Sequence, residues 1–169
     1  MTQTILETRP DLVGLSAMAW QYGTSIKLTR LIKQILPGVK ILIGGYHPTL
    51  MYEEIAVSPE AEYIDFMIRG EGEEACRRLV NALDGKDSVK EIASLSYKRD
   101  HQFVHNPPGE LLDLSRLKLP IREKKTLDLG ISHHEFQSRS HGNIPGLHLR
   151  VYILLYETDA QPIVPALSL

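Results

Sequence analysis

The segment Val39–Leu50, VKILIGGYHPTL, constrains the possible folds of this chain more than any other stretch. Its short apolar run ends abruptly at Gly44-Gly45, and a polar turn that contains Tyr46 and His47 follows. A β-rich run closed by glycines is typical of a buried strand. In an open α/β sheet, ligands bind just beyond the carboxyl ends of such strands. Because glycine has no Cβ, a flat ligand could lie directly on the backbone there. A plain strand-to-helix turn is the alternative.

Two other apolar runs have the length and composition of buried strands, namely Leu12–Met18 and Tyr63–Ile68. Helical spacing of apolar residues predicts a helix after each strand. The first of these helices would be capped by Thr24 or Ser25 and would stop at Pro37-Gly38. The sequence further predicts helices over Met51–Val57 and Glu73–Leu83, and a β-hairpin formed by Ser94–Lys98 and Gln102–His105.

This alternation of strands and helices predicts an α/β fold with a doubly wound parallel sheet. Because crossovers between parallel strands are right-handed, the loops that follow the three strands should lie at one edge of the sheet. Those loops carry Ser16-Ala17-Met18, Gly44-Gly45 and Gly70-Glu71-Gly72. We therefore expect a ligand-binding site at this edge.

Composition and charge exclude several classes of function. With 169 residues and a net charge of -2, the chain has no basic surface for nucleic acid or for an anionic membrane. Cys76 is the single cysteine, which excludes an internal disulfide and a cysteine-based metal site. The sequence shows no signal peptide and no apolar run long enough to span a bilayer, so a cytoplasmic location is expected.

The three loops offer no recognisable catalytic machinery. They contain neither a GxxxxGK phosphate loop nor a GxGxxG fingerprint. A hydrolase that used His47 with Glu71 or Glu73 would need an activated nucleophile, and none accompanies them. A phosphoacceptor receiver would need an acidic cluster and an aspartate at a strand end, where this sequence has serine and glycine.

Taken together, the loops resemble the cobalamin-binding domain that precedes the catalytic barrel in many radical S-adenosylmethionine enzymes. That family carries a Ser-x-Leu element followed by a Gly-Gly pair, and here Ser16-Ala17-Met18 is followed after 25 residues by Gly44-Gly45. Met18 replaces the leucine with a side chain of similar size and polarity. The GG-x-H-P-T and R-G-E-G-E motifs of the radical enzymes match Gly44–Thr49 and Arg69–Glu73, and the resemblance covers roughly residues 1–130.

The resemblance implies cobalamin as the cofactor and a role for each loop. Ser16 would meet the nucleotide tail of the cofactor, and Gly44 and Gly45 would let that tail pass the backbone. Tyr46, His47 and residues 70–72 would line the rim near the corrin ring, where His47 could contact cobalt or a propionamide, or could be an ordinary surface histidine. The residues expected to bind the cofactor are Ser16, Ala17, Met18, Gly44, Gly45, Tyr46, His47, Gly70, Glu71 and Gly72.

The resemblance also implies missing parts. The family's fold begins with two further strands, so the edge of Leu12–Met18 is expected to be bare, which is an aggregation risk. Residues 1–92 would form a partial cobalamin-binding domain, and residues 93–130 would form the hairpin and a linker towards a radical S-adenosylmethionine barrel in cis. In the longer protein that barrel would hold a 4Fe–4S cluster and S-adenosylmethionine, and this chain alone would not be catalytic.

Residues 131–169 have no clear period and no family resemblance. When each codon is read one base later, Gly142–Leu147 permits Glu-Thr-Ser-Arg-Gly, and three later junctions permit cysteines with CxxxCxxC spacing. The radical enzymes bind their cluster with this motif, so we expect a frameshift near Gly130-Ile131. If the tail is genuine, Arg150–Tyr156 could instead be an added strand. The tail's candidate metal ligands match no metal-site spacing with a mechanism; they are His133, His134, Glu135 and His141.

The sequence thus predicts a cobalamin-binding module of a radical S-adenosylmethionine enzyme, in which the reaction would be a methyl transfer or a radical rearrangement. No metal ligand is predicted apart from the possible contact of His47 with cobalt. The alternative is a flavodoxin-like small-molecule-binding or signalling domain that binds no cobalamin.

Overall fold

The computed structural model describes residues 9–110 and the backbone of residues 151–154. Within these residues, no helix is both long and apolar enough to cross a membrane. The strands are β1 Leu12–Ser16, β2 Lys40–Gly44, β3 Phe66–Ile68, β4 Leu95–Arg99, β5 Gln102–His105 and β6 Val151–Leu154. The α-helices are α1 Tyr22–Ile35, α2 Tyr46–Val57 and α3 Glu73–Leu83.

The strands form one sheet in the order β5-β4-β3-β2-β1-β6. Strands β6, β1, β2 and β3 are parallel, and the predicted hairpin of β4 and β5 extends the same sheet with antiparallel pairing. The α/β prediction is confirmed. Because β5 is antiparallel to β4, which is antiparallel to β3, the chain leaves β5 at the edge where β3 also ends.

Helices cover both faces of the sheet, as a doubly wound fold requires. One core cluster packs Ile26 and Ile32 of α1 and Ile55 of α2 against one face. The other cluster packs Ala75 and Leu79 of α3 against the opposite face. Alternate residues of the central strands supply the two clusters, because successive side chains of a strand point to opposite faces. On β2 these residues are Ile41 and Ile43 for the first cluster and Leu42 for the second.

Several boundaries differ from the sequence prediction, and β1 ends at Ser16 rather than at Met18. Helix α1 begins at Tyr22, so the expected caps Thr24 and Ser25 lie inside the helix, where the Ser25 hydroxyl donates to the Gln21 carbonyl oxygen at 3.1 Å. Helix α2 begins at Tyr46 rather than Met51, and its backbone is kinked at Met51. The third strand is shorter than predicted, because the preceding residues Pro59–Tyr63 form a 3-10 turn.

The expected bare edge of β1 is wrong, because β6 pairs with β1 in parallel from Leu12↔Val151 to Leu15↔Leu154. This is the added strand that the sequence left open as an alternative. An uncharged β-rich segment can satisfy the free backbone groups of an edge strand whatever its origin. The pairing of β6 with β1 therefore does not test the expected frameshift, which stays a prediction. The junction at residues 130–131 and the four candidate metal ligands of the tail lie outside the described residues.

Asp65 fixes the register at the start of β3. Its carboxylate accepts from the Ile41 amide at 2.8 Å and from Lys33 Nζ at 2.7 Å, while Lys40 Nζ lies at 3.3 Å. Lys33 also donates to the Val39 carbonyl oxygen at 2.7 Å. The side chains of Lys33 and Asp65 are only 20% and 18% exposed, so the pair is shielded more than a surface salt bridge.

Asp65→Ala should lower the free energy of unfolding by about 2 kcal/mol, because it leaves the Lys33 ammonium and the Ile41 amide without their carboxylate. Lys40→Ala is the matched control, since the Lys40 side chain is 51% exposed. We expect the control to change stability by under about 1 kcal/mol. Urea unfolding followed by circular dichroism measures both, and equal losses in the two variants would contradict the role assigned to Asp65.

Candidate functional site

The three loops singled out in the sequence do lie at one edge of the sheet. Strands β1, β2 and β3 are parallel neighbours, so the segments that follow Ser16, Gly44 and Ile68 leave the sheet on the same side. Open α/β sheets bind their ligands beyond the carboxyl ends of their strands, which is the side on which these loops lie. The Ser16 hydroxyl makes no hydrogen bond to any residue between 9 and 110, so it is available to a ligand.

The ends of β1 and β2 are joined through two backbone hydrogen bonds. The Ala17 amide donates to the Gly44 carbonyl oxygen at 2.9 Å, and the His47 amide donates to the Ala17 carbonyl oxygen at 3.0 Å. The first of these bonds continues the parallel pairing of Ser16 with Gly44 one residue beyond the ends of the strands. The Gly44 carbonyl therefore accepts from β1, and the loops after β1 and β2 form one unit.

Gly45 is required by this junction. Its φ is +93°, and a Cβ there would lie 2.8 Å from Ser16 Oγ and 2.9 Å from the Ala17 amide nitrogen. The space that a missing side chain leaves at Gly45 is thus filled by β1, not held open for a ligand. Gly44 differs, because a Cβ there would meet only the Ile68 carbonyl oxygen, at an ordinary 3.6 Å.

Thr49 connects the loop after β2 to the loop after β3. Its hydroxyl donates to the Gly45 carbonyl oxygen at 2.7 Å and accepts from the Gly70 amide at 2.9 Å. The two residues that Thr49 joins are both glycines with positive φ. The sequence prediction missed Thr49, although it lies in the matched GG-x-H-P-T motif.

Arg69 anchors the loop after β3 to its surroundings. Its amide donates to the Ser94 carbonyl oxygen at 3.1 Å, its guanidinium donates to the Asn106 carbonyl oxygen, and its Cζ lies 4.4 Å from the centre of the Tyr52 ring. Burial and the nearby Arg69 charge together lower the pKa of His105 below its usual range. The chain that leaves β5 is thus held at the same edge as the three loops.

A cleft of about 410 Å³ opens beside this anchor, between the loop after β3 and the chain that follows β5. Its walls include Thr49, Gly70 and Glu71 on one side and Pro108-Gly109 on the other. A second cavity, of about 470 Å³, lies at the opposite edge of the sheet beside Asp11 and Lys40. Only the first cavity adjoins the predicted site residues.

The same edge exposes an unusual amount of apolar side chain. Trp20 follows β1 and is 66% exposed, while Tyr46 follows β2 and is 59% exposed. Exposed apolar groups that share one edge mark a binding surface. The other large apolar side chains exposed on these segments are Met18, Leu50 and Met51, and Val57 is exposed at the far end of α2. The sequence prediction missed Trp20, although a tryptophan just after a strand end was a visible signal.

His47 is held against helix α1. Its ring centre lies 4.3 Å from that of Tyr22, with the two planes inclined at 36°. Burial, reinforced by the Glu60 carboxylate, raises the pKa of Tyr22 to about 12, so its hydroxyl stays neutral. A neutral ring packed on His47 restricts the rotation of the imidazole.

The carboxylates near the start of α3 behave as helix-end residues. Glu74 receives 2.8 Å and 2.5 Å hydrogen bonds from Arg77, and this pairing lowers the pKa of Glu74. Negative side chains are favoured in the first turn of a helix. Within residues 9–110, no three or more His, Cys, Asp or Glu side chains are grouped so as to hold a metal ion.

Residues 1–80 match the family model of the B12 binding domain. An anaerobic magnesium-protoporphyrin IX monomethyl ester cyclase of Synechocystis is 28% identical over 101 residues, which are 60% of this chain and 20% of that protein. An uncharacterized methyltransferase of Pyrococcus horikoshii is 30% identical over 120 residues, which are 70% of this chain and 26% of that protein.

A solved structure shares the fold. The cobalamin-dependent S-adenosylmethionine radical enzyme OxsB, with aqua-cobalamin bound, superposes with a TM-score of 0.55 at 22% identity, over 64% of this chain and 15% of that protein. The chain thus spans 20% and 26% of the first two relatives in sequence and 15% of this structural neighbour. The described part of this chain therefore shares its fold with one domain of a much longer protein.

Gly45→Ala should lower the free energy of unfolding by roughly 1–3 kcal/mol, because the new Cβ meets β1 and the residue keeps a positive φ. Gly44→Ala is the matched control and should cost under about 1 kcal/mol. Urea midpoints of the two variants provide the measurement. If Gly45→Ala were as stable as Gly44→Ala, the close approach between β1 and residue 45 would be refuted.

Proposed function

We propose that this chain, whose residues 1–80 carry the B12 binding domain match, is the cobalamin-binding module of a cobalamin-dependent radical S-adenosylmethionine enzyme. The observation that carries the proposal is the single edge at which Ser16, Gly44 and Gly70 follow three parallel strands. This is where an α/β sheet binds its ligand. The relatives include TokK of Streptomyces tokunonensis, described as a cobalamin-dependent radical SAM methyltransferase, 28% identical over 108 residues.

The residues at the edge fit a large, flat, amide-bearing cofactor. The unused Ser16 hydroxyl would bind the nucleotide tail, and that tail would pass the backbone at Gly44, where little side-chain volume stands in the way. The aromatic side chains of Trp20 and Tyr46 offer exposed apolar area to the corrin ring. When bound, cobalamin would supply the cobalt centre at which the longer protein carries out its chemistry.

The other predicted residues would take supporting roles in this proposal. His47 would face the rim of the cofactor from its place against Tyr22, and Gly45 would keep the loops after β1 and β2 together. The remaining contacts would come from the backbone of both loops, at Ala17, Met18, Gly70, Glu71 and Gly72.

The reaction would belong to the longer protein. Asn106 is anchored by its side-chain amide to the carbonyl oxygens of Val89 and Ile92 at 2.7 Å and 2.8 Å. Residues 107–110 therefore follow β5 at the edge proposed to bind cobalamin. A radical S-adenosylmethionine barrel in cis, with its 4Fe–4S cluster and S-adenosylmethionine, would follow and would face that edge.

The full chain should bind hydroxocobalamin with quenching of tryptophan fluorescence, because Trp20 is its single tryptophan and is exposed at the proposed site. Titration corrected for absorption by the cofactor gives the Kd, and gel filtration should carry the red pigment with the protein. Trp20→Phe is the control for the signal, since it should abolish quenching while some pigment still co-elutes. Absence of both pigment and quenching, or equal binding of a flavin nucleotide, would favour the flavodoxin-like alternative.

Ser16→Ala should weaken cobalamin binding about threefold to tenfold, the equivalent of one lost hydrogen bond. The fold should be almost unaffected, because the Ser16 hydroxyl has no hydrogen-bond partner among residues 9–110. The Kd from the same titration measures the effect on cobalamin binding, and the urea midpoint measures the effect on the stability of the fold. Unchanged affinity would remove Ser16 from the proposed site.

A further inference from the structure

We infer that Thr49 is a positioning residue for cobalamin, one that acts by fixing the loop after β3 relative to the loop after β2. The inference rests on the proposed function of this edge. Thr49 itself belongs to helix α2, and its hydroxyl lies between the two loops without being one of the proposed cofactor contacts.

Each hydrogen bond of the Thr49 hydroxyl has a defined direction. A hydroxyl has one hydrogen to donate and lone pairs to accept with. The Gly45 carbonyl can only accept and the Gly70 amide can only donate, so the hydroxyl hydrogen points to Gly45 and a lone pair faces Gly70. The Thr49 amide donates to the same Gly45 carbonyl at 3.2 Å, which holds the threonine backbone in place.

The link joins the two loops where the paired residues of β2 and β3 have come to an end. The paired residues of β2 and β3 run only from Leu42↔Phe66 to Ile43↔Met67. Beyond that point Gly70 has a φ of +68°, and no heavy atom lies within 4 Å of the position its Cβ would take. Gly70 has no side chain of its own to hold it in place, and the hydrogen bond from its amide to Thr49 gives this part of the loop a defined contact with α2.

Helix α2 contacts the loop after β3 through two residues, Thr49 and Tyr52, which lie on either side of the kink at Met51. Thr49 receives the Gly70 amide at 2.9 Å, and the Tyr52 ring lies under the guanidinium of Arg69 at 4.4 Å. Because α2 begins at Tyr46, directly after Gly45, it connects the position of one loop to the other.

Loss of the hydrogen bond between Thr49 and Gly70 should weaken cobalamin binding more than it lowers the stability of the fold. A cofactor that touches both loops binds best when their separation is already set, because ordering flexible segments on binding costs affinity. The link between Thr49 and Gly70 is exposed to solvent, so water can replace it when the cofactor is absent. Its loss should therefore loosen the loop while the core of the domain persists.

The test compares Thr49→Val with Thr49→Ser in the full chain. Valine has the shape of threonine without the hydroxyl, and we expect Thr49→Val to raise the Kd for hydroxocobalamin about threefold to tenfold. Serine keeps the hydroxyl, and Thr49→Ser should restore a Kd within about twofold of the wild type, since both hydrogen bonds can form. Amide hydrogen exchange at Gly70, measured without cobalamin, should be faster in Thr49→Val and unchanged in Thr49→Ser.

Thr29→Val is the matched control. The Thr29 hydroxyl donates to the Ser25 carbonyl oxygen at 2.9 Å, the same backbone bond that Thr49 makes, but it is buried in α1 and joins no loops. This variant should leave both the Kd and the exchange of the Gly70 amide at their wild-type values. Comparing Thr29→Val with Thr49→Val thus distinguishes the effect of removing a threonine hydroxyl from a helix from the effect of removing the link between the two loops.

Two outcomes would overturn the inference without touching the proposed function. One is a wild type that binds cobalamin while Thr49→Val binds with the same Kd. The other is a weakened Thr49→Val that Thr49→Ser fails to restore. A wild type that binds no cobalamin would instead overturn the proposed function, and the positioning role with it.

Discussion

The hydrogen bond from the Ala17 amide to the Gly44 carbonyl oxygen is the contact on which the edge of this sheet depends. It continues the parallel pairing of β1 with β2 one residue beyond Ser16. It also requires Gly45, since any Cβ at residue 45 would overlap Ser16 and Ala17. One glycine therefore lets the ends of β1 and β2 come together.

The rest of the edge is built outward from that contact. The His47 amide returns to Ala17, so the first turn of α2 is fixed against β1. Helix α2 then carries Thr49 to Gly70 and Tyr52 to Arg69, which sets the position of the loop after β3. Arg69 in turn contacts Asn106, where the chain leaves the sheet. Three loops and the exit of the chain form a connected series of contacts.

This series gives the proposed cofactor site its organisation. Cobalamin would meet parts of the chain that are already linked to one another, so little of its binding free energy would be used in ordering them. The same contacts would relate the cofactor to whatever follows Asn106 in the longer protein. The chain spans only 20% and 26% of its first two relatives, so in this proposal the edge would bind the cofactor and the rest of the longer protein would carry out the reaction.

The sequence by itself determined the α/β class, the confinement of three small-residue loops to one edge, and the hairpin. Apolar periodicity reports which face of a strand or helix is buried, and the handedness of crossovers then fixes the edge. Only the tertiary structure decided that Tyr46–Thr49 is helical, that Gly45 accommodates β1, and that β6 covers the edge of β1. It also decided that Thr49 reaches Gly70, a residue 21 positions away. Such contacts join residues that are distant along the chain, so no local pattern of hydrophobicity or turn residues records them.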